Sequence, residues 1–336
     1  MKVSIRLPVF EDAGADDRLR PTYEIAQAAE EAGFYAGFIH QHHFTAGHAS
    51  APWVLLSAIA ARTSALRLGT SICLLPTYHP LEVAESVATL DRISGGRVIF
   101  GAGIGYRRDE YDAFGIDYHR RGSRMAEALE VLAAAWSGKS ISFHGRHFHF
   151  DDVTVHPTPV QDPHPPLWVG AVDRRAQERA ARLGDGWISD IVEPLPREQQ
   201  LADRYRRYCD EAGRPGVVCL MRTAAIAPRR EELEARWLPE AAETQLDYWR
   251  LGARGRDDDA MFARLERGES VPLHEFAQDR LIAGTPDDCI EQILRWHDAV
   301  RADHLLLVLS GATAGPDGTR AAVELFGREV LPNLPG

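Results

Sequence analysis

The sequence predicts an α/β protein, a (β/α)8 TIM barrel formed by the whole chain, residues 1–336. Eight short runs of apolar and β-branched residues alternate with helical patterns from end to end. This alternation favours a parallel sheet, and eight βα units are the number that closes a barrel. A doubly wound open sheet is the alternative, because length alone would also allow two ordinary domains.

The eight strand candidates are short apolar runs bounded by turn residues or charged residues. In chain order they are VSIRLPV, YAGFIH, LRLGTSICLL, GGRVIFGAG, PLWVGAV, DGWISDIV, VVCLMRTAAIA and HLLLVLS. Gly33 is placed like the glycine that follows a helix, and Pro80 like a first-turn proline. Residues 139–165 interrupt the alternation with a predicted hairpin and a proline-rich connector. Residues 229–276 follow the seventh strand as a charged, helical insertion, which we predict to be a mobile lid.

Composition and charge narrow the classes of partner. Apolar residues make up 45% of the chain and charged residues 26%, as in soluble globular proteins. The formal net charge is 38 − 49 = −11, so we expect neither a nucleic-acid partner nor membrane association. The first residues lack the pattern of a secretory signal. The four cysteines have no paired spacing, and we therefore predict reduced thiols in a cytoplasmic protein.

The barrel prediction also says where function lies, because TIM-barrel active sites are built from the loops at the C-terminal ends of the strands. The corresponding loops span residues 8–12, 40–48, 71–79, 101–111, 170–175 and 189–193.

One of these loops is rich in histidine. The stretch FIHQHHFTAGH, residues 38–48, contains His40, His42, His43 and His48. A catalytic zinc site needs at least three protein ligands, and the later strand ends offer only acidic residues. A neutral histidine at a barrel mouth can instead act as a general base near pH 7. A solvated loop without chemistry is the third interpretation.

The stretch GAGIGY, residues 101–106, follows a strand and invites comparison with dinucleotide-binding loops. The third glycine of that fingerprint is replaced by Tyr106, and no helix begins at once, so a Rossmann site is disfavoured. Gly101 and Gly103 still allow the main chain to approach a flat or anionic group. We predict that they contact a cofactor, with a tight strand-to-helix connection as the alternative.

Several blocks in the same order resemble the bacterial luciferase-like flavin-dependent monooxygenases. They are QHHFTAGH, LRLGTSICLLPTYHPLEVAESVATLDRISGGRVIFGAG, DEYDAFGID, PPLWVGAV with AARLGDGW, and AGTPDDCIEQI. The similarity covers about residues 1–190 and resumes near the last block. The resemblance implies a (β/α)8 barrel with an insertion after strand seven, in agreement with the strand count, and a reduced flavin or deazaflavin at the barrel mouth.

The resemblance also implies roles for individual residues. His42 matches the histidine proposed as the catalytic base of luciferases, with Gln41 and His43 shaping the site. The Ser71–Ile72 bond matches a non-proline cis peptide that lies against the flavin ring. The positions implied to hold the cofactor phosphate are Arg121, Gly170, Ala171 and Val172.

The chain departs from the luciferase pattern at two of these positions. Gln41 replaces the usual glutamate, and Ile104 stands where luciferases place a phosphate-contacting arginine. We therefore predict that Arg107 or Arg175 rebuilds the phosphate anchor.

The predicted activity is that of a two-component monooxygenase. A separate flavin reductase would supply reduced FMN, and O2 would add at the flavin C4a to give the peroxide that oxidises a small organic substrate. The His-His-Phe loop favours FMN, whereas GAGIGYRRDEYDAFG is closer to members that use a deazaflavin. The alternative is therefore a hydride-transfer oxidoreductase dependent on the deazaflavin coenzyme F420. A zinc hydrolase and a non-catalytic flavin-binding protein are two further hypotheses. A homodimer is expected because family members are commonly dimers.

Overall fold

The computed structural model describes residues 1–10, 19–250 and 259–335. Twelve strands lie in these residues: β1 (Lys2–Arg6), β2 (Ala36–Ile39), β3 (Arg67–Thr70), β4 (Cys73–Leu74), β5 (Val98–Gly103), β6 (Ile141–His144), β7 (His149–Val153), β8 (Leu167–Gly170), β9 (Gly186–Ile188), β10 (Val217–Ile226), β11 (Ile282–Gly284) and β12 (His304–Ser310).

Eight of these strands close a parallel barrel, which confirms the predicted fold. The order around the barrel is β1, β2, β3, β5, β8, β9, β10 and β12, and β12 pairs with β1 again. Closure is visible at Ile5, which lies opposite Gly37 of β2 on one side and Leu307 of β12 on the other. A closed sheet brings the C-terminal ends of all eight strands to one rim, where loops distant in sequence meet.

The helices form the outer layer. They are α1 (Arg20–Glu31), α2 (Pro52–Ala60), α3 (Pro80–Ser94), α4 (Arg108–Ala113), α5 (Arg121–Ala135), α6 (Arg174–Leu183), α7 (Leu195–Ala212), α8 (Arg230–Arg236), α9 (Leu238–Arg250), α10 (Asp259–Glu266), α11 (Leu273–Ala277), α12 (Pro286–Val300) and α13 (Pro316–Glu329). As predicted, Pro80 begins a helix and Gly33 follows one with a left-handed φ of 89°. Thr285 and Asp288 form a capping box at the start of α12.

Three apolar clusters follow from this layering. The largest lies between the barrel and the helices. A second contains Phe38, Ile99, Trp168, Ile188 and Leu306. Alternate residues of a strand face opposite sides of a sheet, so these side chains from different barrel strands fill the barrel interior, as in other TIM barrels.

The insertion after the seventh barrel strand is present and is largely helical. Within residues 229–276 the structure describes α8, α9, α10 and α11, which share a third apolar cluster around Leu233, Phe262 and Phe276. Residues 251–258 lie outside the described part of the chain, so the predicted mobility of this stretch and its role as a lid remain predictions.

Three local features complete the comparison with the sequence. The hairpin predicted within residues 139–165 forms as the antiparallel pair β6–β7. The third predicted strand is divided into β3 and β4 by the Ser71–Ile72 bond. Strand β11 was not predicted; it pairs in parallel with the end of β10, where Ala224 faces Ile282.

All four cysteines are buried free thiols, and none of the described helices has the length and apolar character to cross a membrane.

Candidate active site

The histidine-rich loop after β2 lies at the C-terminal rim of the barrel, as the fold predicts. Gln41 forms an isolated bridge with Ala49 that closes the loop on itself. The one-and-a-half-turn helix α4, which follows β5, lies against this loop. Residues 11 and 12 of the first strand-end loop lie outside the described residues.

The central feature of the site is a hydrogen bond between His42 and Glu110. Nδ1 of His42 lies 3.1 Å from Oε1 of Glu110, which is fully buried, while the His42 side chain is 14% exposed. The same oxygen accepts a 2.7 Å hydrogen bond from the backbone N–H of His43. A carboxylate accepts hydrogen bonds, so Nδ1 carries the proton and Nε2 keeps its lone pair. His42 is thus oriented as a base at Nε2.

The electrostatic surroundings keep His42 neutral. Burial lowers the pKa of His42 below its usual range, and Glu110 opposes this shift through its hydrogen bond and its charge. His48 and Arg107 lower the pKa further. A histidine that is neutral at pH 7 can accept a proton, and the carboxylate behind it stabilises the cation that results.

Gln41 connects the histidine loop to the next loop of the barrel. Its Oε1 accepts a 2.9 Å hydrogen bond from the backbone N–H of Leu74. Its Nε2 lies 3.2 Å from the carbonyl oxygen of Ser50 and within hydrogen-bonding distance of the hydroxyl of Tyr78. The side chain is buried, and an amide satisfies a donor on one side and acceptors on the other. Gln41 therefore shapes the site by bracing two loops.

His43 has a different environment from His42. Its ring is buried, with Nε2 3.1 Å from Nε2 of Gln41, and it packs edge-on against Phe114 at 4.7 Å between ring centroids. Burial lowers the pKa of His43 as well. The ring of His43 supports the loop, and the backbone N–H of His43 helps to hold Glu110.

His40 and His48 lie beside His42 and do not form a metal site with it. The ring of His48 is 4.4 Å from that of His40 and 4.9 Å from that of His42. Burial, and then the charge of Arg6, lower the pKa of His40 strongly. In the part of the chain that the structure describes, no group of three or more His, Cys, Asp or Glu side chains is arranged to hold a metal ion. The donor geometry gives the zinc hypothesis no support.

The Ser71–Ile72 peptide bond is cis, as the resemblance implies. Two of the predicted cofactor-binding glycines, Gly103 and Gly170, lie against the side chain of Ile72. A Cβ added to Gly103 would lie 2.6 Å from Cδ1 of Ile72, and one added to Gly170 would lie 3.3 Å from its Cγ2. The two glycines thus leave space for the Ile72 side chain, and the contact of Ile72 with a flavin ring remains a prediction.

Gly101 has a reason to be glycine that lies within the fold itself. A Cβ there would lie 1.9 Å from the carbonyl oxygen of Thr70. Its N–H donates to Oγ1 of Thr70 at 3.2 Å, and its carbonyl accepts from the same hydroxyl at 2.7 Å. Close strand packing explains this glycine, and its contact with a cofactor remains a prediction.

The basic residues predicted near the phosphate have distinct surroundings. Arg107 is bound by Asp109 and by the hydroxyl of Thr45, and the hydrogen bond to Asp109 is the main reason that its pKa is raised. Arg121 lies over the ring of Tyr118 at 3.7 Å and donates to its carbonyl oxygen. Arg175 is exposed in the first turn of α6.

The segment after β8 is held by its carbonyl oxygens. Ala171 accepts a 2.6 Å hydrogen bond from Nε1 of Trp187, and Val172 accepts one of the same length from Arg204. Together with Gly170, these residues enter α6 in a fixed geometry at the rim. A helix N-terminus at a TIM-barrel rim is a common place for a phosphate group.

Glu110 is the functional residue that the sequence analysis missed. It is one of five charged residues between 107 and 112, and the one-and-a-half-turn helix α4 is too short for periodicity to show which of them is buried. The available signal was its place in DEYDAFGID, a block that carries the resemblance.

Comparison with known proteins is consistent with this geometry. The model of the luciferase-like monooxygenase family matches residues 1–303. The chain belongs to the luciferase-like monooxygenase family. It is therefore related to enzymes that are oxidoreductases or monooxygenases, and this confirms the class that the sequence predicted.

The names of similar proteins include both F420-dependent dehydrogenases and a monooxygenase. The chain is 29% identical over 317 residues to an F420-dependent hydroxymycolic acid dehydrogenase of Mycobacterium tuberculosis, covering 92% of this chain and 83% of that one. It is 28% identical over 327 residues to an F420-dependent glucose-6-phosphate dehydrogenase of Nakamurella multipartita, covering 93% and 91%. Its structure matches that of the monooxygenase RslO1 from Streptomyces bottropensis with a TM-score of 0.82 and 27% identity, over 99% of both chains.

Proposed function

We propose that this family member is an oxidoreductase that transfers a hydride between coenzyme F420 and a hydroxyl-bearing small molecule, with His42 as the proton acceptor. The observation that carries the proposal is the hydrogen bond between His42 and the buried Glu110. The proposed activity differs from that of the FMN monooxygenase that the sequence alone favoured, and two further observations support this change.

Oxidation of an alcohol removes a hydride from the carbinol carbon and a proton from the hydroxyl group, and leaves a ketone or aldehyde. Oxidised F420, when bound, would supply the hydride acceptor. The proton goes to Nε2 of His42, whose Nδ1–H is held by Glu110. In the reverse direction the protonated ring returns the proton to the carbonyl oxygen. Such positioned proton transfer contributes about 10²–10⁴ in rate.

The first supporting observation concerns the phosphate anchor. The phosphate monoester of FMN carries nearly two negative charges at pH 7, as other phosphate monoesters do, whereas the phosphodiester of F420 carries one. Ile104 occupies the place of the luciferase arginine, and Arg107 is already bound by Asp109 and Thr45. A weaker cationic anchor at this position matches a singly charged phosphodiester better than a doubly charged monoester.

The second supporting observation comes from the relatives. The two F420-dependent dehydrogenases align with more than nine-tenths of this chain. Both names describe oxidation of a hydroxyl group. The alignments also cover 83% and 91% of those two enzymes.

The FMN monooxygenase is the second candidate, and the similarity to RslO1 together with the His-His-Phe loop favours it. This candidate keeps the flavin reductase and O2 as partners. In both candidates the ring system would rest at Ile72, between Gly103 and Gly170, with Arg121 and the segment of Ala171 and Val172 toward the phosphate. The homodimer and the cytoplasmic location remain predictions.

The decisive experiment compares the two coenzymes on the same protein. We expect F420 to bind with a Kd at least tenfold below that of FMN in equilibrium dialysis. We also expect an alcohol to reduce F420 in the absence of O2, and this reduction is measured as a loss of F420 absorbance. A His42→Gln variant should bind F420 unchanged and reduce it at least 100-fold more slowly. Tighter binding of FMN, with O2 consumption upon addition of reduced FMN and substrate, would replace this proposal with the second candidate.

A further inference from the structure

Three aromatic side chains next to the proposed base are exposed to solvent. We call Phe44, Tyr106 and Phe114 the aromatic rim; they are 66%, 67% and 45% exposed. The ring of Tyr106 lies 5.5 Å from that of His42, and the ring of Phe114 lies 4.7 Å from that of His43. The rings of Phe44 and Phe114 lie 5.6 Å apart. The rim is therefore continuous with the candidate active site.

The backbone holds Phe44 in this exposed position. Its φ is 58°, in the left-handed region that a bulky non-glycine residue rarely adopts. Such conformations persist where the surroundings impose them, and they cluster at functional sites. The adjacent backbone N–H of His43 donates to Glu110, so the carboxylate oxygen that orients the base also fixes the chain next to Phe44.

The charges that flank the rim disfavour an anionic ligand. Residues 107–112 contain Arg107 and Arg108 against Asp109, Glu110 and Asp112, a net charge of 2 − 3 = −1. Both arginines pair with aspartates of the same segment. A phosphorylated substrate would meet neutralised arginines and a net negative charge at this position.

We propose that the substrate of this enzyme is an uncharged alcohol or ketone that carries an aromatic or alicyclic ring, and that the ring packs on the aromatic rim while the oxygen reaches His42. Contiguous exposed apolar surface beside polar groups marks a ligand site. Aromatic rings prefer edge-on or offset contact with other rings, which Phe44 and Phe114 can both provide. The inference rests on the proposed function because His42 defines where the oxygen lies.

The test measures binding separately from turnover. 1-Phenylethanol and 1-cyclohexylethanol serve as ring-bearing probes and glucose 6-phosphate as the charged one, with Kd measured by calorimetry on the F420-loaded protein and on the protein alone. We expect both ring alcohols to bind at least tenfold more tightly than glucose 6-phosphate. Phe44→Ala and Phe114→Ala should each raise the Kd of 1-phenylethanol about tenfold, because each removes apolar contact with the ring. Ile93→Ala, an exposed apolar residue in the last turn of α3, is the matched control and should leave it unchanged.

The outcomes separate this inference from the proposed function. Ring alcohols that bind through the rim but never reduce F420 would support the rim as the ring-binding surface and contradict the proposed F420-dependent oxidation. Reduction of F420 by glucose 6-phosphate, unaffected by Phe44→Ala, would support the function and overturn the inference. Failure of both ring alcohols to bind would overturn it as well. Dissociation of a dimer by Phe44→Ala or Phe114→Ala, measured by light scattering, with unchanged Kd for 1-phenylethanol, would assign the rim to contact with a second copy of the chain.

Discussion

Oε1 of Glu110 holds two consecutive residues of the histidine loop, accepting from Nδ1 of His42 at 3.1 Å and from the backbone N–H of His43 at 2.7 Å. One buried carboxylate oxygen thus fixes both the tautomer of the proposed base and the course of the chain that carries it. The separation of 68 residues between His42 and Glu110 is bridged because β2 and β5 lie on either side of β3 in the barrel, which brings the loops that follow them together.

Replacing Glu110 by glutamine keeps an acceptor oxygen for both hydrogen bonds and removes the charge. Glu110 raises the pKa of His42 against the larger lowering effect of burial, so Glu110→Gln should lower that pKa further. A weaker base accepts the proton less well, and we expect kcat for alcohol oxidation to fall about 100-fold. Because the neutral form is the active one, the acidic limb of the kcat–pH profile should move to lower pH. Asp112→Asn, an exposed carboxylate on the same helix, is the control; equal effects of the two variants would refute the assignment.

Gln41→Glu would restore the glutamate that luciferases carry, and we expect it to destabilise this chain. Nε2 of Gln41 faces the carbonyl oxygen of Ser50, which needs a donor that a carboxylate lacks, and loss of such a buried bond costs about 1–3 kcal/mol. Burial should raise the pKa of the introduced carboxyl above its unfolded value. The contribution of this carboxyl to the free energy of unfolding is then most favourable below its unfolded pKa, and it is lost as the pH rises through its raised folded-state pKa. Urea denaturation at pH 5 and pH 8 should therefore show the larger deficit at pH 8, while Gln27→Glu on the surface shows none.

Alanine at the two glycines near Ile72 should produce graded effects on coenzyme binding. Gly103→Ala places its Cβ 2.6 Å from Ile72 and must displace that side chain, whereas Gly170→Ala places it at 3.3 Å. We expect the Kd of F420 to rise more than tenfold in the first variant and about threefold in the second, with overpacking costing about 1–3 kcal/mol of stability at most. Fluorescence titration gives the Kd values. The reverse order, or no change in either variant, would place the coenzyme away from Ile72.

Arg222 and Glu198 form a fully buried ion pair of 2.9 Å that joins β10 to the first turn of α7. Arg222 also donates to the carbonyl oxygen of Asp190 at 2.8 Å and lies over the ring of Trp296 at 4.1 Å. Arg222→Met leaves an unpaired buried carboxylate and should cost about 3–5 kcal/mol in the free energy of unfolding. Addition of Glu198→Leu should restore most of that loss, because the charge is then removed as well. Denaturant unfolding of the single and double variants checks this; additive losses would contradict it.

The barrel was predictable because each of its eight strands is a short apolar run that turn residues or charged residues bound at its ends. Strand β11 was not, because three residues, Ile282–Gly284, are too few to show alternation. The same limit applies to the site. His42 stands out in a histidine-rich loop, but burial of Glu110 depends on contact between α4 and that loop, which no local pattern encodes. The cis Ser71–Ile72 bond was predicted by resemblance alone, since neither residue favours it.

Two hydrogen bonds span the cis peptide and attach it to the histidine loop. The N–H of Ser71 donates to the carbonyl oxygen of Ile39 at 2.9 Å, and the N–H of Leu74 donates to Gln41. Ile39, just before the loop, and Gln41, just before its His-His pair, are thus both attached to the segment that would support the coenzyme ring. We therefore expect the two loops to behave as one unit when residues are exchanged between family members. Transplanting the coenzyme preference of another family member into this barrel will require residues 39–50 and 70–78 to be replaced together.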